Sequence, residues 1–288
     1  MLIFKYGFWP SLLIILLLLI VLAFAAAAAG KWQFNKQIDS ELEKLKLENK
    51  INQKTEVINE SDLVGLPEPV KNWLQNSGVI GKKPIKAVNI EQSGLMKLAA
   101  EQEKWYQPQA KQYISVAEPG YLWQVDLAMM PVINTKGRDL FDQGDASMII
   151  KIASLLPVVN QKANDKLNES ALHRFLLEIP WYPTAALNDY LDWEEIDSSS
   201  ARATINYQEV KASAIFNFNQ QGNLIRTEAM RYKESDEDAE RIKCTGELGG
   251  FKTVDGIKVP TEIDVSWYLE EGKFTWFKVK VDEIGFEY

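Results

Sequence analysis

Ala201-Arg202-Ala203-Thr204-Ile205-Asn206-Tyr207, Val210-Lys211-Ala212-Ser213-Ala214-Ile215-Phe216-Asn217-Phe218 and Leu224-Ile225-Arg226-Thr227-Glu228-Ala229-Met230-Arg231-Tyr232 follow one another with only short breaks. Within each run small or apolar residues alternate with polar ones, the period of a strand with one buried face. The break at Asn219-Gln220-Gln221-Gly222 carries the turn residues that join antiparallel neighbours. Toward the C-terminus the period continues through Ile242 to Phe251, Gly256 to Tyr268 and Lys273 to Val281, with turns at Asp255-Gly256 and Glu270-Glu271-Gly272-Lys273. Toward the N-terminus it returns in Ala87 to Leu98, Gln112 to Val116, Tyr121 to Met129, Val132 to Phe141 and Ser147 to Ile152, punctuated by Pro108, Pro119-Gly120, Pro131 and Gly144.

Between these two groups the period lengthens to that of a helix. Glu169 to Glu178 places Leu172, Phe175, Leu176 and Ile179 on one face, Pro180 and Pro183 end it, and Thr184 is placed to cap a short helix through Leu187. A second short amphipathic helix follows Pro69 (Val70, Trp73, Leu74) and stops at Ser77-Gly78. The pattern predicts an α+β fold: one large meander forming a single curved antiparallel sheet, a half-barrel, with the helical insert on its concave face.

The first thirty residues differ from all of this. Tyr6 to Gly30 is 25 residues without a charge, and Ser11 to Ala29 is long enough to cross a hydrocarbon core. Trp9 and Trp32 flank it at headgroup level. Ala27-Ala28-Ala29 also satisfies a signal-peptidase pattern with Lys5 as n-region, but the run exceeds a usual h-region, which favours an uncleaved signal anchor. No cysteine lies nearby to carry a lipoprotein anchor. Residues 1–30 are therefore assigned as anchor, 31–61 as a juxtamembrane helical stalk, and 62–288 as one domain opened by the turn-rich Ser61-Asp62 to Pro69. In the stalk Ile38, Leu42 and Leu45 fit a heptad stripe that runs into Asn49 and Asn52, which disfavours a coiled coil and favours a solvated helix. Lys31, Lys36, Lys44, Lys46 and Lys50 follow the span and only Lys5 precedes it, a count that taken literally puts the domain in the cytoplasm.

Composition excludes several classes. Of 32 basic and 40 acidic side chains only Lys5 precedes residue 31, so the domain is acidic and carries no nucleic-acid footprint. One cysteine excludes a disulfide framework, and with a single histidine it also rules out the common zinc motifs; no metal or cofactor is implied. Nine Trp, ten Tyr and twelve Phe exclude disorder as the main state.

Leu66-Pro67-Glu68-Pro69-Val70, the run Leu177 to Leu187 with Trp181-Tyr182-Pro183-Thr184-Ala185, Trp193 to Asp197, Phe216-Asn217-Phe218, Arg231-Tyr232 and Ile257-Lys258-Val259-Pro260-Thr261 together resemble a bacterial family. It is catalogued as a domain of unknown function and is commonly preceded by one transmembrane helix. Ile179 and Pro180 stand where the family has small residues, and the acidic run Glu234 to Asp238 replaces an aromatic-rich stretch. More distantly, the pattern is similar to the half-barrel of bacterial lipoprotein carriers, in which a curved sheet wraps helices around a cavity for an acyl chain. That resemblance implies an extracytoplasmic domain, against the lysine count.

His173 reads as a surface histidine rather than a base, and Cys244 as a core residue rather than a nucleophile. Glu195 and Asp197 read as a solvated strand face, and Glu234 to Glu240 as an exposed loop. Arg174, Glu178, Trp181, Arg231 and Tyr232 form the candidate ligand-binding set. Glu178 ends an apolar helix face, where an unpaired carboxylate is costly, so an arginine is expected beside it, with Arg231 or Arg202 as the structural partner. The functional expectation is a non-enzymatic, membrane-anchored protein that holds a lipid or other amphiphile in an apolar crevice. The alternatives are an envelope protein-interaction module with a filled core, and an enzyme using Glu178 and Arg231.

Overall fold

Period-two alternation in this chain produces a single 13-stranded antiparallel sheet curled into a half-barrel. The computed structural model describes residues 8–48, 56–130 and 133–288; Lys5, Tyr6, Asn49, Lys50, Asn52 and the Pro131 break lie outside them. A long helix α1 (Phe8–Glu48) and a short helix α2 (Glu68–Asn76) come first. Six strands follow: β1 (Ala87–Met96), β2 (Pro108–Ser115), β3 (Gly120–Met130), β4 (Ile133–Asp142), β5 (Asp145–Ile152) and β6 (Leu156–Gln161). Helix α3 (Asp165–Leu177) leads through 3-10 turns at Ile179–Trp181 and Pro183–Leu187 into the second group. That group is β7 (Leu191–Asp197), β8 (Ser200–Tyr207), β9 (Val210–Phe218), β10 (Leu224–Tyr232), β11 (Arg241–Gly249), β12 (Lys252–Val254), β13 (Ile257–Val259), β14 (Glu262–Leu269) and β15 (Gly272–Glu287).

The strand order is β6-β5-β4-β3-β2-β1-β15-β14-β11-β10-β9-β8-β7, with β12 and β13 as a separate hairpin. There are thus two meanders rather than one. They are zipped together by β1 against β15, from Ala87 opposite Glu287 to Met96 opposite Phe277. At this seam a Cβ on Gly94 (φ +144°) would fall 1.9 Å from the Lys278 carbonyl oxygen, so only glycine fits. The expected strand Gly256 to Tyr268 is broken at Pro260, which has no N–H to give to the sheet.

Helix α3 carries the chain from one edge strand, β6, to the other, β7. Asn164 starts it, its side chain accepting the Leu167 N–H. Leu172, Phe175, Leu176 and Ile179 are all fully buried against the concave face, as their spacing predicts, each contributing roughly 1.5–3 kcal/mol. Thr184 caps nothing; its Oγ1 accepts the Ile85 N–H and ties the insert to the sheet. Trp73 and Trp193 pack on Phe216 at ring distances of 6.2 and 5.0 Å.

Helix α1 departs from the expected solvated stalk. Its N-terminal part is long and apolar enough to cross a membrane and is unburied. Beyond Trp32 the same helix lies on the outer face of the sheet, where Phe34, Ile38 and Leu45 are buried against Ala87, Tyr113 and Leu122. Arg138 on β4, itself buried, pairs with Glu41 at 2.9 Å; Lys136 donates to Asn35 at 2.7 Å, and Lys44 meets Asp142 at 2.7 Å. The stripe, too short for a long coiled coil, fits against the sheet.

Candidate functional site

Helix α3 ends at Glu178 because Pro180 cannot continue the hydrogen-bond ladder. The Glu178 carboxylate does find an arginine, but it is Arg174, one turn earlier. Arg174 Nε donates to Glu178 Oε1 at 2.8 Å, and its Nη1 donates to Asp139 Oδ2 on β4 at 2.7 Å. Gln112 Nε2 donates to the second Glu178 oxygen at 2.6 Å, and Gln92 Nε2 donates to Gln112 Oε1 at 3.3 Å. Trp123 Nε1 closes the chain on Gln92 Oε1 at 3.0 Å. The guanidinium also lies over the Tyr121 and Trp123 rings at 4.8 and 5.1 Å.

This cluster holds one cation between two carboxylates, with the three charged side chains only 11–19% exposed. Burial acts to lower the Arg174 guanidinium, yet Glu178, Tyr121 and Asp139 hold it above its ordinary value. Burial, reinforced by Asp139, pushes the Tyr121 hydroxyl well up, so it stays a neutral donor toward Asp139 at 3.4 Å. The Tyr182 hydroxyl is raised by burial and Glu178 and donates to the Phe175 carbonyl.

The other sequence candidates separate from this centre. Arg231 donates through Nε and Nη2 to Ser170 Oγ at 3.3 and 3.0 Å and lies over Trp267 at 5.3 Å. Arg202 pairs with Glu194 on the surface. Neither is the partner of Glu178, because the intrahelical position four residues back already fills that role. Trp181 is buried and donates to the Pro260 carbonyl at 3.1 Å. The Tyr232 carbonyl accepts from Ser170, and its ring lies beneath Lys166 and Arg241.

His173 is not on the surface: it is 4% exposed, with Nδ1 3.0 Å from the Glu169 carbonyl and Nε2 accepting the Ser213 N–H. Burial first, then Arg231, lowers its pKa to about 4 against the pull of Glu169. Cys244 is buried and burial raises its thiol. Asp197 caps Ser199, and a bulge separates it from Glu195. In the acidic loop Lys166 Nζ sits among the carbonyls of Asp236, Glu237 and Ala239 at 2.5–3.1 Å, taking the place a cation would need.

From the Arg174 cluster an apolar strip runs along the concave face. Burial falls along it: Ala146 on β5 is buried, whereas Met148, Ile150 and Ile152 on the same face are half-buried. Gly137 leaves room in it, since a Cβ there would meet Val125 Cγ1 at 3.0 Å and Ile150 Cγ1 at 3.8 Å. Trp123 reaches Phe277 edge-on at 6.5 Å, bringing β15 to the strip. A separate open groove of about 1320 Å3 is charged in both signs, lined by Asp145, Glu169, Lys211, Glu228 and Arg241, and is not the apolar crevice expected.

Sequence reasoning missed Gln92, Gln112, Asp139 and Trp123 as members of the centre. The available signal was a polar residue in phase with the apolar face of a strand: Gln112 shares its face with Ile114, and Asp139 with Phe141.

The quoted motifs fall at the start of α2, in the helical insert and in the second group of strands, and a family model matches residues 64–286. The chain belongs to the family of unknown function DUF6920. A solved structure, the crystal structure of LolA superfamily protein NE2245 from Nitrosomonas europaea, is similar to this DUF6920 chain. The likeness covers 80% of this chain and 91% of that one, at 12% sequence identity and a TM-score of 0.39. No curated protein matches the chain.

Proposed function

We propose that this protein is a membrane-anchored, non-enzymatic binder of a lipid or other amphiphile at the cell envelope. The apolar chain of the ligand lies on the strip from Val125 to Ile152, and its polar end meets the Arg174 centre. The observation that carries this reading is the burial gradient on β5, where Ala146, beside α3, is buried and Met148, Ile150 and Ile152 on the same concave face stay half-buried. An apolar wall ending on a small set of convergent polar groups is the complement of an amphiphile. Helix α1 holds the domain to the bilayer through residues 11–29, and the domain faces away from the cytoplasm. Organic extraction and mass spectrometry of the full chain purified from its host tests the ligand, and recovery of a stoichiometric amphiphile is the expected result. A clean protein would overturn the reading. A reporter fused after Tyr288 tests the side of the membrane, with activity expected outside the cytoplasm.

A second reading is a protein-interaction module. Its support is the filled core beneath α3 and the charged groove lined by Glu169, Lys211 and Arg241. A stoichiometric protein partner that survives delipidation would favour it.

A further inference from the structure

We propose that the strand-end rim of the sheet nearest the apolar part of α1 contacts the membrane, with the β5–β6 turn seated in the bilayer interface and a lysine-aromatic cluster farther along the same rim on anionic headgroups. The inference rests on the reading of α1 as a membrane anchor.

Helix α1 is continuous through the end of its uncharged run. Gly30, the last residue of that run, is where the helix meets the β5–β6 turn: a Cβ on Gly30 would lie 2.5 Å from Leu155 Cδ2 and 2.9 Å from the Ser154 carbonyl oxygen. With residues 11–29 in the hydrocarbon, the turn therefore stands at the height of the membrane boundary. There the chain presents Leu155, Leu156 and Val158 at 45, 62 and 51% exposure. Clustered exposed apolar side chains of this kind mark a contact surface. Pro157 removes a donor from the free edge of β6, so this strip is a poor template for a further protein strand.

The strand register brings a second element to the same end of the sheet, with β2, β3 and β4 lying between it and β5. Met96 at the end of β1 bridges Tyr106, and the antiparallel ladders from β1 to β5 put this connection at the same end as the β5–β6 turn. Here Lys97 and Lys278 lie over the Trp105 ring at 5.0 and 5.6 Å. Indole rings favour the headgroup layer, and lysines beside them are drawn to an anionic surface.

The test uses the full chain with Cys244→Ala, reconstituted in phosphatidylcholine–phosphatidylglycerol vesicles containing a spin-labelled lipid quencher. Single cysteines at Leu156→Cys, Leu18→Cys and Glu195→Cys carry an environment-sensitive fluorophore. The expected result is a blue shift and loss of emission at positions 156 and 18, and neither at 195. Quenching at 18 with an unshifted, unquenched label at 156 would overturn the rim and leave the anchor standing. Quenching at neither position would overturn the anchor and the rim together. A label at 156 shielded from aqueous iodide but untouched by the lipid quencher would assign the strip to protein, again overturning the proposal. In pure phosphatidylcholine, Lys97→Gln with Lys278→Gln is expected to leave the signal at 156 unchanged, whereas in the anionic vesicles it reduces the quenching. Equal quenching with and without the lysines in anionic vesicles would refute the headgroup contact.

Discussion

Replacing Arg174 with methionine keeps much of the side-chain volume over Tyr121 and Trp123 but strips two carboxylates of their cation at once. Asp139 at 2.7 Å and Glu178 at 2.8 Å would then face each other across a centre that is 11–15% exposed at those side chains. Removing one partner of a buried pair costs about 3–5 kcal/mol, and the residual exposure puts this case at the lower end, about 3 kcal/mol. For a domain of this size that corresponds to a fall in Tm of roughly 6–12 °C. The assay is thermal unfolding of the full chain in detergent, followed by near-UV circular dichroism. The cycle is completed with Asp139→Asn and Glu178→Gln: once both acids are neutral, Arg174→Met is expected to cost less than about 1 kcal/mol. An Arg174→Met protein that melts with the wild type, or a penalty that persists unchanged in the neutralised background, would refute an electrostatic role for this centre.

Three further outcomes follow from the same contacts. The unfolded chain protonates His173 near 6.5 while the fold resists until about 4, so stability is full above pH 6.5 and falls by roughly 3 kcal/mol as the pH drops toward 4; in His173→Gln the Tm-versus-pH curve should lose this slope. Phe34→Ala removes a fully buried ring from the interface between α1 and the sheet, where such a change costs about 3–5 kcal/mol, and limited trypsin digestion should cut at Lys36 or Lys46 much faster while α3 stays protected. Ile150→Asn puts an amide on the half-buried strip away from the sealed core, so it should lower the amphiphile recovered per protein with little change in Tm.

The fold was legible wherever one strand face is buried and the other wet. β8, β9 and β10 follow their alternation almost residue by residue, and the turn at Asn219 to Gly222 lies where its residues place it. β6 was invisible because Leu156-Pro157-Val158-Val159 neither alternates nor admits a normal strand interior; it survives as a strand only at an edge. The β1–β15 seam had no local signal either, since it joins the two ends of the domain and depends on the curvature of everything between. The site divides in the same way. That Glu178 needs a guanidinium is a local inference from burial, and Arg174 satisfies it through the helix alone. That Asp139 shares the same guanidinium depends on β4 curling over α3, which no single stretch of sequence encodes.

The stripe on α1 shows how a pattern is misread when its partner is out of view. From Phe34 to Leu45 the helix rises about 16 Å, comparable to about five residues of strand. Asn35, Glu41 and Lys44 are matched in turn by Lys136, Arg138 and Asp142 along a single strand, β4. A stripe of this length is too short to hold a coiled coil together but long enough to clamp a helix along β4. The consequence for the proposed function is geometric. On the proposed reading of α1 as an anchor, a helix clamped to β4 leaves no swivel between bilayer and domain, so the half-buried strip on the concave side of β4 and β5 keeps a fixed height and heading above the membrane. A ligand would then pass between bilayer and strip at one place, the edge beside Gly30 and Leu155, rather than by movement of the whole domain on a flexible tether.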